Sequence, residues 1–197
     1  VTRIIAGTAR GRRLTIPASG TRPTSDRVRE AMFASIEARL AAEGRSWGQV
    51  AVCDLWSGSG AIALEAWSRG ATRVLAVDRA LGAVRAIEAN IAQLNAQGVA
   101  VLRAEAGRAL MSAPPGGAFD VVIADPPYDD DATNVEQVLT SGLAAGWFAA
   151  DAIVVVERDK RGECPFPRSI ETTDERTYGD TALWYGRAID GREELPR

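Results

Sequence analysis

Apolar positions recur in two rhythms along this chain. Val28, Met32, Ile36 and Leu40 fall every four residues, one face of an amphipathic helix. Thr24, Ser25 and Asp26 just before them are all competent N-caps. From residue 50 the rhythm changes to short Val/Ile/Ala runs separated by segments of helical period. The runs at 50–55, 73–78, 99–103, 119–124 and 152–157 read as strands. Helices are expected over 61–69, stopping at Gly70, then to about Asn95, and around 135–143. Strands that are apolar on both faces and separated by helices predict a parallel sheet covered on both sides.

The two ends of the chain depart from this alternation. Ile4-Ile5 and Leu14 to Ile16 flank Gly7-Thr-Ala-Arg-Gly-Arg-Arg13, which reads as a small hairpin or two edge strands. Residues 17–24, rich in Pro, Ser, Gly and Thr, read as a linker. Near the other end, 169–173 and 181–187 flank Thr177-Tyr-Gly-Asp180, an antiparallel hairpin expected to finish the sheet. Residues 190–197 read as a frayed charged tail. The expected division is a basic arm and linker at 1–24 and an α/β domain at 25–197.

Composition removes several chemistries. The 197 residues include no histidine, which excludes a Ser-His-Asp triad, a Cys-His pair and any histidine-bearing zinc site. Two distant cysteines, Cys53 and Cys164, form neither a CxxC pair nor a four-cysteine metal site, and suit a reducing cytosol. No metal is expected. Asp129 to Asp131 read as a helix-start cluster rather than as ligands. The apolar runs are far shorter than a membrane span and no segment resembles a signal peptide, so a cytoplasmic protein is expected.

Charge sharpens the picture. The net charge is −3, yet the first thirty residues carry seven arginines against Asp26 and Glu30. Arg3, Arg10, Arg12, Arg13, Arg22, Arg27 and Arg29 thus make a basic arm on an acidic body, suited to a polyanion held at one place.

Two motifs carry the chemistry. Asp54-Leu-Trp56-Ser-Gly58-Ser59-Gly60 ends the first strand and opens a helix, and Asp78 closes the second strand. The glycines let a ligand approach the backbone, and an acid at Asp78 can accept ribose hydroxyls. A pyrophosphate fingerprint would place a third glycine where Ala63 stands, and Asp54 would repel a pyrophosphate. The same acid would welcome a cationic ligand, which points to S-adenosylmethionine rather than a dinucleotide. Glu105, past the third strand, would face the adenine. Asp125-Pro126-Pro127-Tyr128 follows the fourth strand, at the end of a parallel sheet where ligands bind. The Asp125 carboxylate and a proline carbonyl can accept both hydrogens of one exocyclic amine, and Tyr128 offers a face for a stacked base.

With these residues the chain resembles the RsmD family, bacterial 16S ribosomal RNA (guanine-N2) methyltransferases. The resemblance runs through Arg3 to Gly7, Gly11 to Leu14, Arg22-Pro-Thr-Ser-Asp-Arg-Val-Arg-Glu30 with Phe33, Asp54 to Gly60, Glu65-Ala66, Ser68 to Ala71, and Asp125 to Tyr128. Trp56-Ser57 stands where Phe-Ala is commoner in the family, and Asp78 where Glu is common.

The resemblance implies a Rossmann-like fold with a seven-stranded, mostly parallel sheet whose last strand is antiparallel, plus a small N-terminal extension. It also implies methyl transfer to a guanine N2 in 16S rRNA, within the assembled small subunit, by a chain expected to be a monomer. Asp54, Trp56, Gly58, Ser59, Gly60, Asp78 and Glu105 would hold the cofactor. Asp125, Pro126, Pro127 and Tyr128 would hold the base, and the seven arginines would hold phosphates. Two alternatives stay open: an adenine-N6 methyltransferase, and a ribosome-assembly factor that binds RNA without turnover. The absence of a sizeable target-recognition domain weighs against a DNA-adenine enzyme, and the basic arm against protein methylation.

Overall fold

The computed structural model describes residues 2–17, 25–127 and 131–189. Arg22 and Tyr128, the linker from residue 18 onward, Asp129, Asp130 and the expected tail lie outside the described residues. The chain divides into two compact units, Val1–Ala106 and Gly107–Arg197. In the first unit the strands lie in the order β3 (Val99–Arg103), β2 (Arg73–Asp78), β1 (Ala51–Leu55), and in the second β4 (Phe119–Ala124), β5 (Phe148–Asp159), β7 (Thr181–Ala188), β6 (Ile170–Tyr178).

The first unit opens with the arm. Arg3 and Arg13 form one antiparallel bridge, reinforced by Ile4 N–H to Arg12 O and Leu14 N–H to Thr2 O at 2.9 Å each. The expected hairpin is therefore minimal. It is not loose, because Ile4, Ala9 and Leu14 are buried against Leu64 and Ala96. Each of the two larger side chains contributes roughly 1.5–3 kcal/mol by leaving water.

Helix α1 (Asp26–Ala42) starts at Ser25, whose hydroxyl accepts the Val28 N–H. Its stripe of Val28, Met32, Phe33, Ile36 and Leu40 is buried, and Trp47 packs on Phe33 at a ring distance of 5.5 Å. β1 (Ala51–Leu55), β2 (Arg73–Asp78) and β3 (Val99–Arg103) are parallel, with Ala51 opposite Arg73 and Val74 opposite Val99. α2 (Ala61–Arg69) and α3 (Leu81–Leu94) make the crossovers. They stop at left-handed caps, Gly70 at φ 115° and Asn95 at φ 51°.

The second unit begins around the short α4 (Ala106–Leu110), too brief to leave a helical period in the sequence. β4 (Phe119–Ala124) pairs in parallel with β5 (Phe148–Asp159), with α5 (Ala132–Ala144) between them in the chain. β6 (Ile170–Tyr178) and β7 (Thr181–Ala188) form the expected antiparallel hairpin, turning at Gly179 with φ 63°. β7 inserts beside β5 and runs antiparallel to it, leaving β6 outermost. Tyr185 is fully buried on β7 while its neighbour Trp184 is not, as alternation along the strand requires. Among the described residues no helix is long and apolar enough to cross a membrane.

Candidate functional site

The glycine turn is built by hydrogen bonds that leave little freedom. β1 is buried along its whole length, and Trp56 follows it in the left-handed region at φ 58°, a strained setting for a non-glycine residue. Ser57 locks the turn to β2. Its hydroxyl donates to the Asp54 carbonyl at 2.6 Å and accepts the Val77 N–H at 3.1 Å, while its own N–H donates to Val77 O at 3.0 Å. Gly58 (φ 55°) donates its N–H to Asp78 Oδ2 at 2.8 Å. Gly60 (φ 76°) is the N-cap of α2, and a Cβ there would approach Ile87 Cγ1 to 3.0 Å.

A glycine N-cap has no side-chain oxygen to offer the first helical amides. Asp54 supplies it instead. Its fully buried carboxylate accepts the Ala63 N–H, the third amide of α2, at 3.1 Å through Oδ2. Asp54 thus sits under the turn rather than open to solvent. Asp78 is half-buried, and each of its oxygens holds one backbone N–H: Gly58 on Oδ2 and Ala80 on Oδ1, both at 2.8 Å. A carboxylate has about four acceptor positions, so both oxygens keep capacity for a ligand hydroxyl. The Asp78 carbonyl accepts the Ala104 N–H at 3.1 Å, which sets Glu105, exposed, one residue beyond. The turn therefore gathers Asp54, Trp56, Gly58, Ser59, Gly60 and Asp78, with Glu105 at its margin. Cys53 is core packing, and burial pushes its thiol pKa well up.

In the second unit, Asp125 follows directly on Ala124, the buried end of β4. Asp125 is half-buried, Pro126 buried and Pro127 exposed. Asp131 is the N-cap of α5 and accepts the Asn134 N–H at 2.7 Å, the helix-start role expected of the acidic run.

The arm holds Arg3, Arg10, Arg12 and Arg13 exposed, and Arg27 is exposed on α1. Arg29 requires a correction. Expected in the basic arm and available to phosphate, it is fully buried, donating through Nη2 to the Arg3 carbonyl and to Asp26 Oδ1. Burial lowers its pKa, opposed by the charges of Asp26 and Glu65. It clamps the arm to α1 instead of facing solvent.

The family described as conserved hypothetical protein 95 matches residues 2–187. The ribosomal RNA small subunit methyltransferase D of Escherichia coli is 32% identical over 198 residues, covering 98% of this chain and 93% of that protein. The chain belongs to the RsmD family of ribosomal RNA methyltransferases. A solved Escherichia coli structure described as "Putative methyltransferase yhhF" superposes with a TM-score of 0.80 at 29% identity, covering 95% of this chain and 97% of that one. The fold is also that of a Salinibacter ruber RNA methyltransferase solved with S-adenosyl-L-homocysteine. That likeness is 18% identical, with a TM-score of 0.62, over 89% of this chain and 97% of that one.

In this RsmD-family chain, three buried polar residues matter whose roles sequence reasoning missed. The Glu65 carboxylate accepts Ile5 N–H at 2.7 Å and Ala6 N–H at 3.0 Å, and pairs with Arg69 Nε at 2.9 Å. Ser68 accepts Ala9 N–H at 2.9 Å and donates to Ala6 O at 2.6 Å. Asn90 reaches both the arm and the glycine turn. The available signal was a polar residue on the buried face of a helix. Asn90 continues the series Ala83, Ala86, Ile87, and Glu65 lies within the buried run Ile62 to Ala66.

Proposed function

We propose that this chain transfers a methyl group from S-adenosylmethionine to the exocyclic N2 of a guanine in 16S rRNA, with the assembled small subunit as substrate. The observation that carries the reading is Asp125 with two prolines, set directly at the carboxyl end of β4 in a methyltransferase fold. The glycine turn fits the cofactor: two glycines at positive φ leave the backbone uncovered, and Asp78 keeps acceptor capacity for a ribose. Trp56, Ser59 and Glu105 complete its expected surroundings. When bound, S-adenosylmethionine supplies an electrophilic methyl on a sulfonium.

Asp125 accepts one N2–H of the guanine and the Pro126 carbonyl accepts the other. Both bonds draw the nitrogen lone pair out of conjugation with the ring and aim it at the methyl. Pro127 stiffens the segment, and Tyr128 stacks the base. The methyl would pass from the sulfonium to N2, and the proton the nitrogen then loses would go to the Asp125 carboxylate that already accepts its hydrogen bond, and from there to water. An imidazole base is not needed, in keeping with a chain that has no histidine. The base must be swung out of its stack to be reached.

Residues 1–24 serve as the RNA-binding arm and 25–197 as the methyltransferase domain. Arg3, Arg10, Arg12, Arg13, Arg22 and Arg27 meet phosphates, while Arg29 holds the arm's shape. We take the protein to act as a cytoplasmic monomer. The large apolar side chains exposed among the described residues, Ile16, Leu81, Met111 and Ile189, are scattered over separate segments.

The test is Asp125→Ala. Methyl transfer to small subunits falls at least about a thousandfold, the scale of losing a positioned reactant. S-adenosylhomocysteine binding, measured by calorimetry, stays within about twofold. Loss of cofactor binding instead would move Asp125 out of the substrate's surroundings.

A further inference from the structure

Asn90 is fully buried on α3, and its amide makes three hydrogen bonds. Oδ1 accepts the Thr15 N–H at 2.8 Å. Nδ2 donates one hydrogen to the Thr15 carbonyl at 2.9 Å and the other to the Ser59 carbonyl at 3.1 Å. The first two bonds read the arm's backbone as a neighbouring strand would. The third holds the Gly-Ser-Gly turn between two glycines at positive φ. Glu65 and Ser68 bind the arm from α2 and Gln93 holds Arg13 O at 3.2 Å from α3, and among the described residues none of these three bonds that turn. The arm's end at Thr15 follows two residues after Arg13, the last arginine of its basic loop.

We infer that Asn90 is a positioning residue that couples RNA held on the arginine arm to the cofactor-binding turn. It does so by fixing Thr15 and Ser59 with one rigid amide. The inference rests on the proposed function, since it takes the arm to meet RNA and the turn to meet the cofactor. A shift of the arm at Thr15 cannot occur without breaking or moving the bond to Ser59. Phosphates bound on the arm therefore favour one position of the turn, and the cofactor favours the same one. Such coupling is reciprocal by thermodynamic necessity.

The test measures the dissociation constant of labelled S-adenosylhomocysteine by equilibrium dialysis, with and without unmethylated small ribosomal subunits. The intact protein is expected to bind it roughly tenfold more tightly when subunits are present, within the usual range of coupling. Asn90→Leu keeps the volume but removes all three bonds, and reduces that ratio to within about twofold of one. Thr15→Pro serves where Asn90→Leu does not fold. It removes the N–H that Asn90 reads from an exposed arm residue, fixes φ there and sets the ring carbon against Asn90 Oδ1, and is likewise expected to lose the ratio.

A merely structural role would lower thermal stability in these variants and leave the ratio intact, which would overturn the inference. So would an intact protein that methylates small subunits yet shows no ratio. Failure of the proposed function itself is separate: it appears as no methyl transfer to, and no binding of, small subunits by the intact protein.

Discussion

At Gly7 the arm comes so close to α2 that only a hydrogen atom fits. A Cβ there would stand 1.8 Å from the Ser68 carbonyl oxygen, and the backbone is at φ 80°. The Thr8 N–H donates to that same carbonyl at 2.8 Å, so moving the arm away breaks a bond while staying creates a clash. Gly7→Ala is expected to cost more than about 2 kcal/mol, read from the urea unfolding midpoint. A change below about 0.5 kcal/mol would show that the arm is not seated on Ser68. Asp54 makes a comparable point about chemistry. Its acidity suggested a partner for a cationic ligand; its carboxylate also works below the turn, capping a helix whose own cap is glycine.

Among elements, the arm is held on α2 by Ser68 and by the Glu65 carboxylate, which alone accepts the amides of Ile5 and Ala6 there. Glu65→Ala strands the Ile5 and Ala6 N–H groups without their acceptor, at about 1–3 kcal/mol. Hydrogen exchange at Ile5 and Ala6 should then accelerate by about tenfold or more, while the amides of β1 and β2 keep their protection. Unchanged exchange at those two amides would contradict the arrangement.

The strand–helix alternation was readable because buried parallel strands and helices leave different periods, and 61–69, 73–78, 99–103 and 119–124 matched to the residue. β5 and β6 ran longer than their apolar cores. Arg158 and Asp159 pair with Ala182 and Thr181, and β6 presents mostly polar side chains on an outer strand. Backbone pairing with β7 extends the far end of β5 and of β6, and hydrophobicity does not record it. Arg29, Glu65 and Asn90 escaped for a related reason: a polar residue buried by a chain segment sixty or more positions away looks, in sequence, like any exposed one. Arg29 differs only in that its cover, Arg3, is nearer in the chain.

Over the whole molecule, charge separates affinity from chemistry. A net charge of −3 would repel RNA were the arginines not gathered at the arm, where Arg10, Arg12 and Arg13 stand exposed on a loop tied down from beneath. Replacing these three with glutamine should weaken small-subunit binding and reduce the salt slope by about 2, from roughly 0.7 per phosphate contact. The rate at saturating subunits should be little changed. An unaltered slope would place the RNA contact elsewhere on the molecule.

The reading of Asp125 and its prolines is confined to one kind of bond, a methyl on an exocyclic amine. The measurement that tests this most directly is identification of the product. Unmethylated small subunits are incubated with the protein and labelled S-adenosylmethionine, and the RNA is digested and its nucleosides separated. The label is expected in N2-methylguanosine alone, and Asp125→Ala is expected to remove it. Label in N6-methyladenosine or in ribosomal protein, or no label with subunits bound, would contradict the account.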